Sequence, residues 1–384
     1  MSDGAELLNA ARALRPRILA ERERIEAGRR LPEDLTRELA RQGFFRIFLP
    51  KAYGGLDLAP TQGLEVLEEL GRADASVAWC VWNGNTHWIV AQLSPKGVKE
   101  VHGDIDVVTA NSTRASGQAE AVAGGFRVNG RWSLVSGCEL GTWMVLLCVV
   151  HEGGKPRLAA SGAPETRFVV LPASVCQIVD TWTVGGLRGT GSHDVVVHDQ
   201  FVPASHAAGF TDPYVLPEPR YRMPPFCRVI PGLGAMTLGI ARTAIASLTD
   251  LAVDKQLQRS QQILRENHGA QIRVAEAEAL VRSARLYLYD SVERLWRTLL
   301  ETGTAPIGMR ADARMAAWHA AFTSAKAVDL MYSAAGASAL YTSSPLERAF
   351  RDVHAITQHI GVHSRVMESA GRVLFGLEPD TPLL

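Results

Sequence analysis

The spacing of apolar residues changes twice along this chain, and that change limits the folds open to it more than any other feature. Up to about residue 100 the apolar side chains recur at three- and four-residue steps, as in Leu35 and Leu39, then Leu64, Leu67 and Leu70. That period belongs to amphipathic helices. Pro32 and Asp34 stand where a helix start favours them, and Gly43 where a helix stops. From about Val107 to Val202 the pattern turns to short β-rich runs: Met144 to Val150, Phe168 to Leu171 and Val195 to Val197. Phe126, Val128 and Trp132 alternate around Asn129-Gly130, a strong short-range hairpin signal, so a turn is expected there. From Pro224 the helical period returns, with alanine dominating residues 311–339. The expected fold class is therefore α+β, in three parts: a helical domain over 1–105, a small central β-domain over 106–215, and a helical bundle over 216–384.

The 384 residues carry 40 Lys+Arg against 40 Asp+Glu, a formal net charge of zero. That balance removes the long-range electrostatic case for a nucleic-acid or anionic-membrane partner. Five cysteines without CxxC spacing argue against a disulfide framework or a zinc knuckle, so a cytoplasmic location is expected. The N-terminus is acidic and unlike a signal peptide. Of the two long apolar stretches, Ala75 to Pro95 holds Asn83, Asn85 and His87 at its centre, which lipid would penalise. It reads as a buried helix bringing polar atoms to an interior site. Val229 to Leu248, interrupted by Pro231, three glycines and Arg242, reads as a core helix.

Two generic motifs carry little. Gly186, Gly189 and Gly191 resemble a phosphate loop, but a nucleotide-binding loop needs a helix after it, and Asp194 onward reads as a strand. His359 and His363 are four residues apart on one expected helical face, without a carboxylate ligand nearby, so no metal site is expected.

Four segments in register give a sharper reading. Leu31 to Leu35 with Phe48 to Gly55, Gly130 to Gly137, Gly186 to Asp194 with Phe201 to Pro203, and Arg351-Asp352 together resemble the acyl-CoA dehydrogenase superfamily. The resemblance covers nearly the whole chain and implies that family's architecture: N-terminal helices, a central β-barrel or sandwich lining a flavin, and a C-terminal four-helix bundle. Dehydrogenation of an acyl-CoA needs a carboxylate base. By the resemblance that base stands eight residues after Asp352, where this chain has Ile360, or in the first helix of the terminal bundle. Between Arg220 and Arg265 the only acids are Asp250 and Asp254, and no Glu is present.

What stands beside the missing base is His359. This arrangement resembles the superfamily's two-component flavin-dependent monooxygenases, which take reduced FMN or FAD from a separate flavin reductase. They use O2 through a C4a-hydroperoxyflavin to hydroxylate aromatic or polycyclic molecules. The resemblance implies His359 and His87 as catalytic histidines and Ser136 as a catalytic and flavin-contacting hydroxyl. An imidazole can take up or deliver a proton near neutrality, and a hydroxyl can bond N5 or the peroxide. A wall of Trp79, Trp82, Trp88 and Trp132 would exclude water. Asn111, Ser112, Ser136 and Gly137 are the implied flavin contacts, with Arg351 on the flavin phosphate, and a homotetramer is implied. Beside each reading stands a plainer one: a buried histidine satisfied by Asn83 or Asn85 for His87, a turn residue for Ser136, and an intra-bundle ion pair for Arg348 and Arg351. The alternatives in function are a dehydrogenase-like or nitroalkane-oxidase-like enzyme with resident FAD, and a family member that only binds a ligand.

Overall fold

The structure is a computed structural model that describes residues 3–210, 212–257, 261–381 and 384, without the side chains of His87 and Trp88. Helices α1 (Asp3–Ala20), α2 (Arg22–Gly28), α3 (Glu33–Arg41), α4 (Pro60–Ala73), α5 (Ala75–Gly84), α6 (His87–Val90) and α7 (Pro95–His102) come first. Strands β1 (Thr109–Val122), β2 (Gly125–Val135), β3 (Trp143–Glu152), β4 (Lys155–Pro156), β5 (Thr166–Pro172), β6 (Gln177–Val179), β7 (His193–Pro203) and β8 (Ala207–Ala208) follow. Helices α8 (Pro225–Val229), α9 (Pro231–Asp254), α10 (His268–Thr302), α11 (Ile307–Ala335), α12 (Pro345–Thr357) and α13 (Arg365–Leu374) complete the chain.

The strands form one eight-stranded mixed sheet in the order β6-β7-β2-β1-β3-β5-β8, with β4 paired to β3. β1 and β3 are parallel, and the other pairs are antiparallel. β3 is apolar on both faces. Met144, Leu146 and Cys148 pack with Trp132 and Val169, while Val145 and Leu147 pack with Ile89, Val90 and Val98 of α6 and α7. That two-sided burial is why its sequence reads as a continuous apolar run.

The expected turn at Asn129-Gly130 is not there. The chain reverses at Ala123-Gly124, where Gly124 has φ +81°, and β2 runs straight through Asn129 and Gly130. Asn129 instead accepts the Asp199 N–H at 2.8 Å, where the β2–β7 register shifts. Gly130 serves close packing: a Cβ there would lie 2.6 Å from Gly117 Cα and 2.9 Å from the Trp132 ring. Side-chain volume, rather than turn conformation, selected this glycine.

The long uncharged stretch is also broken. α5 ends at Gly84 because the Asn85 amide turns inward, donating to Phe44 O (2.8 Å) and Val81 O (2.7 Å) and accepting from Ile47 N–H (2.9 Å). At its start Asp74 caps α5 by accepting the Ser76 and Val77 N–H groups at 2.9 and 3.1 Å. Such a cap is worth about 0.5–2 kcal/mol. α5 is thus fixed at both ends, between α4, α9 and the sheet. The segment Pro225–Asp254 is long and apolar enough to cross a membrane, yet 78% of its most apolar window is buried in the fold. It is core.

Candidate functional site

A cavity of about 800 Å³ lies where α5, the β1 and β2 strands, the 182–192 loop, α8 and the chain after α12 converge. Its size falls within the range of pockets that enclose a small organic ligand. Trp79 and Trp82 of α5 form one wall, with ring centroids 5.1 Å apart in an edge-to-face arrangement. His359 stands edge-on to both, 5.5 Å from each. The two indole N–H groups are already engaged, Trp79 with Ser136 Oγ at 2.9 Å and Trp82 with Val229 O at 2.8 Å. Both indoles thus present their ring faces and edges to the cavity, with the imidazole of His359 between them.

His359 is not inside a helix. α12 ends at Thr357, and His359 caps the short 3-10 turn Ile360–Val362, its Nδ1 accepting the Gly361 N–H at 3.0 Å. This bond fixes the neutral tautomer: the proton sits on Nε2, which has no partner among the described residues. Burial pushes the imidazole down to about 4, helped by the nearby cations Arg314 and Arg114. At neutral pH it is uncharged. Arg314 also donates to Gly361 O at 3.2 Å, so it braces the turn that carries the histidine. Ile360 lines the cavity with its side chain 63% exposed. Among the described lining residues there is no Asp or Glu.

Ser136 ends a chain of hydroxyls. Thr190 donates to Leu187 O at 2.9 Å, Ser192 lies 2.7 Å from Thr190, and Ser136 lies 2.7 Å from Ser192. Because Thr190 uses its proton on the carbonyl, the protons run in one direction and Ser136 donates to Ser192. Its oxygen also accepts from Trp79, leaving one lone pair. Asn111 and Ser112 line the cavity as well. Asn111 donates to Asn83 O at 2.6 Å and Oδ1 at 3.1 Å, and Asn83 donates to Ser136 O at 2.9 Å. Gly137 does not line it, and its N–H is bound to Thr190 O at 2.7 Å.

Two expected features sit off the cavity wall. Arg351 is off the cavity wall, held by Glu347 at 2.6 Å, by Glu26 at 3.0 Å and by Gly185 O, so the intra-bundle pairing describes it. Trp132 is in the β-domain core, donating to Leu147 O at 2.7 Å. The side chains of His87 and Trp88 lie outside the described residues.

Two leucines that the sequence does not single out as site residues also shape the cavity, one of them resting on Asp352. Leu134 and Leu187 both line the cavity with positive φ, +60° and +53°. Leucine rarely adopts this region, and such strain gathers where a site needs it. Leu134 presents its side chain, 47% exposed, toward the cavity. Leu187 is pinned from behind, its N–H donating to Asp352 Oδ1 at 2.7 Å. Gly186 lets the loop touch α12, because a Cβ there would meet Arg351 O at 2.2 Å. Asp352 lies in a buried cluster with Arg348 (3.7 Å), which in turn reaches Asp74 (2.8 Å). Burial raises its carboxyl to about 7, with Asp74 adding to the rise and Arg348 opposing it.

Residues 5–101 match the acyl-CoA dehydrogenase N-terminal domain and residues 231–364 the acyl-CoA dehydrogenase C-terminal domain. The chain belongs to the acyl-CoA dehydrogenase superfamily. It is 32% identical over 356 residues to indole-3-acetate monooxygenase of Pseudomonas putida, covering 91% of this chain and 89% of that protein. It is 30% identical over 376 residues to the oxygenase component of FADH(2)-dependent resorcinol hydroxylase of Rhizobium sp. (strain MTP-10005), covering 92% and 90%. The crystal structure of 3-HSA hydroxylase from Rhodococcus sp. RHA1 superposes with a TM-score of 0.90 at 28% identity over 99% of both chains. Within the superfamily the protein is a flavin-dependent monooxygenase.

Proposed function

We propose that this protein is an oxygenase component that takes reduced flavin from a separate reductase, holds it against the β1 and β2 strands, and hydroxylates an aromatic molecule seated at Trp79, Trp82 and His359. The observation that carries this reading is the composition of the cavity: aromatic walls, a neutral histidine, and no carboxylate among the described lining residues to serve as a dehydrogenation base. The same absence disfavours a dehydrogenase with resident FAD.

The residues present suit a flavin. Leu134 offers an exposed apolar surface for a flat ring, and Asn111 and Ser112 give a polar margin beside it. When bound, reduced flavin supplies the two electrons with which O2 places one oxygen atom in the substrate and releases the other as water. The chain's own groups do the rest. Trp79 and Trp82 exclude water, which favours coupling of flavin oxidation to product. His359 donates through Nε2–H to an acceptor oxygen on the substrate, orienting the ring and stabilising negative charge that develops there. The acid–base role expected from sequence becomes a donor role, because Gly361 occupies Nδ1 and burial disfavours the imidazolium.

Ser136 provides the selectivity between flavin states. Its free lone pair suits a ligand N–H, which reduced flavin carries at N5 and oxidised flavin lacks. The purified protein should therefore bind reduced flavin more tightly than oxidised flavin in anaerobic titrations. Ser136→Ala should shrink that preference by roughly 3- to 10-fold, the worth of one neutral hydrogen bond. An unchanged preference would remove Ser136 from the flavin site, and bleaching of a yellow protein by acyl-CoA would contradict the reading as a whole.

A cytoplasmic homotetramer completes the proposal. The five cysteines, all free and four of them buried, form no disulfide framework that would need an oxidising compartment. Leu374 and Phe375 are 72% and 86% exposed on α13 and just beyond it, apolar area that subunit contacts would cover.

A further inference from the structure

The cavity has an uncompensated charge. There is no Asp or Glu among its described lining residues, His359 is neutral, and Arg114 is the only Lys or Arg among them, with Arg314 acting from behind the histidine. The chain brings Arg114 there by breaking a ladder. The β1–β3 register shifts between Ser112 and Gly117, which releases 113–116 from regular pairing and lets Thr113 and Arg114 line the cavity. Six arginines lie between Thr109 and Ala208. Five have carboxylate partners: Arg127 with Asp199, Arg131 with Asp194, Arg157 with Glu165, Arg167 with Asp212 and Arg188 with Glu26. Arg114 has neither an ion pair nor a side-chain hydrogen bond to any described residue. A planar guanidinium without a carboxylate partner on the exposed side of a cavity matches the two oxygens of a carboxylate or phosphate. Its field also reaches His359, so the two groups act on one ligand volume.

We propose that Arg114 is the anion anchor of this cavity, gripping a carboxylate or phosphate of a ligand whose ring lies at Trp79, Trp82 and His359 or against Leu134. The inference rests on the flavin and aromatic-substrate reading and extends it: either the aromatic substrate is an acid, or the anchored group is the flavin phosphate. Matched ligand pairs separate the two sources. The cavity tryptophans report binding through their fluorescence, independently of turnover. Anaerobic titrations would compare 4-hydroxyphenylacetate and indole-3-acetate with their amides, and reduced FMN with reduced riboflavin, in the unaltered protein, Arg114→Gln and Arg114→Lys.

In Arg114→Gln, affinity for the anionic member of one pair should fall on the order of 10- to 100-fold, as for loss of a charged hydrogen bond. Its neutral twin should bind within about twofold of the unaltered protein, which also shows that the variant is folded. Arg114→Lys should recover part of the loss. A fall confined to the arylacetates assigns the anchor to substrate, and one confined to FMN assigns it to the flavin phosphate. Unchanged binding of every anionic probe, or equal loss of anionic and neutral twins, overturns the anchor. If neither riboflavin nor any amide binds the unaltered protein, the flavin and aromatic reading fails, and the anchor with it.

Discussion

His359→Ala is expected to bind reduced flavin normally while hydroxylation falls on the order of 10²–10³-fold, the cost of removing one aimed donor. Flavin oxidation should continue, with its electrons appearing as hydrogen peroxide. Two further substitutions separate the donor role from a proton-transfer role. Gln places a terminal N–H near the position of Nε2, so His359→Gln should recover part of the coupling. Asn keeps an acceptor for the Gly361 N–H but is too short to reach the ligand, so His359→Asn should preserve the turn and stay uncoupled. The unaltered enzyme should show no break in coupling near pH 6.5 from this group, because its imidazole is already held near 4. Product per flavin oxidised, measured with peroxide in the same reaction, checks all three. Unchanged coupling in His359→Ala would remove this residue from the chemistry. A dead Gln variant with a break near 6.5 in the unaltered enzyme would restore it as an acid–base group.

The second large effect is on stability and belongs to Asp352. Its carboxyl titrates at about 7 in the folded protein against an ordinary value of 3.8. Between those values the folded state keeps a proton that the unfolded chain has lost. The contribution is therefore fully present below about pH 3.8 and is lost as pH rises through 7. Asp352→Asn retains an acceptor for the Leu187 N–H and cannot titrate. Relative to the unaltered protein, the Asn variant should gain stability between pH 4 and pH 7, by about 2–4 kcal/mol, and stay level above that. Asp352→Ala also strands the Leu187 N–H and should lose about 1–3 kcal/mol across the range. Urea unfolding at several pH values reads both. A parallel pH dependence in Asp352→Asn and the unaltered protein would show that the carboxyl is not raised.

Much of the architecture was legible because it is written in periodicity. The change from three- and four-residue spacing to short β runs and back places the strands of 109–208 between two sets of helices. Errors arose where one residue type serves two physical ends. Asn129-Gly130 carries hairpin chemistry, but the glycine is there to make room for Trp132 and Gly117, and only a three-dimensional contact reveals that. At the site, His359, Ser136, Asn111 and Ser112 do line one cavity, and they were found because the resemblance to the superfamily carries each over by position. Arg351 pairs with Glu347 on its own helix and with Glu26, and the second partner was not legible because it comes from the other end of the chain. Leu134, Leu187 and Arg114 could not be found at all. Their importance lies in a positive φ, a backbone bond to Asp352 and a missing partner, none of which is visible in residue type.

Oxygen transfer to an aromatic is tested most directly by a single-turnover reaction of the protein with reduced flavin and ¹⁸O2 across a panel of phenols and indoles, acidic and neutral. At least one aromatic should gain a single ¹⁸O atom, in near-stoichiometric yield with the flavin oxidised, and little peroxide should form. Full conversion of the electrons to peroxide with every aromatic, alongside anaerobic reduction of bound flavin by an acyl-CoA, would contradict it.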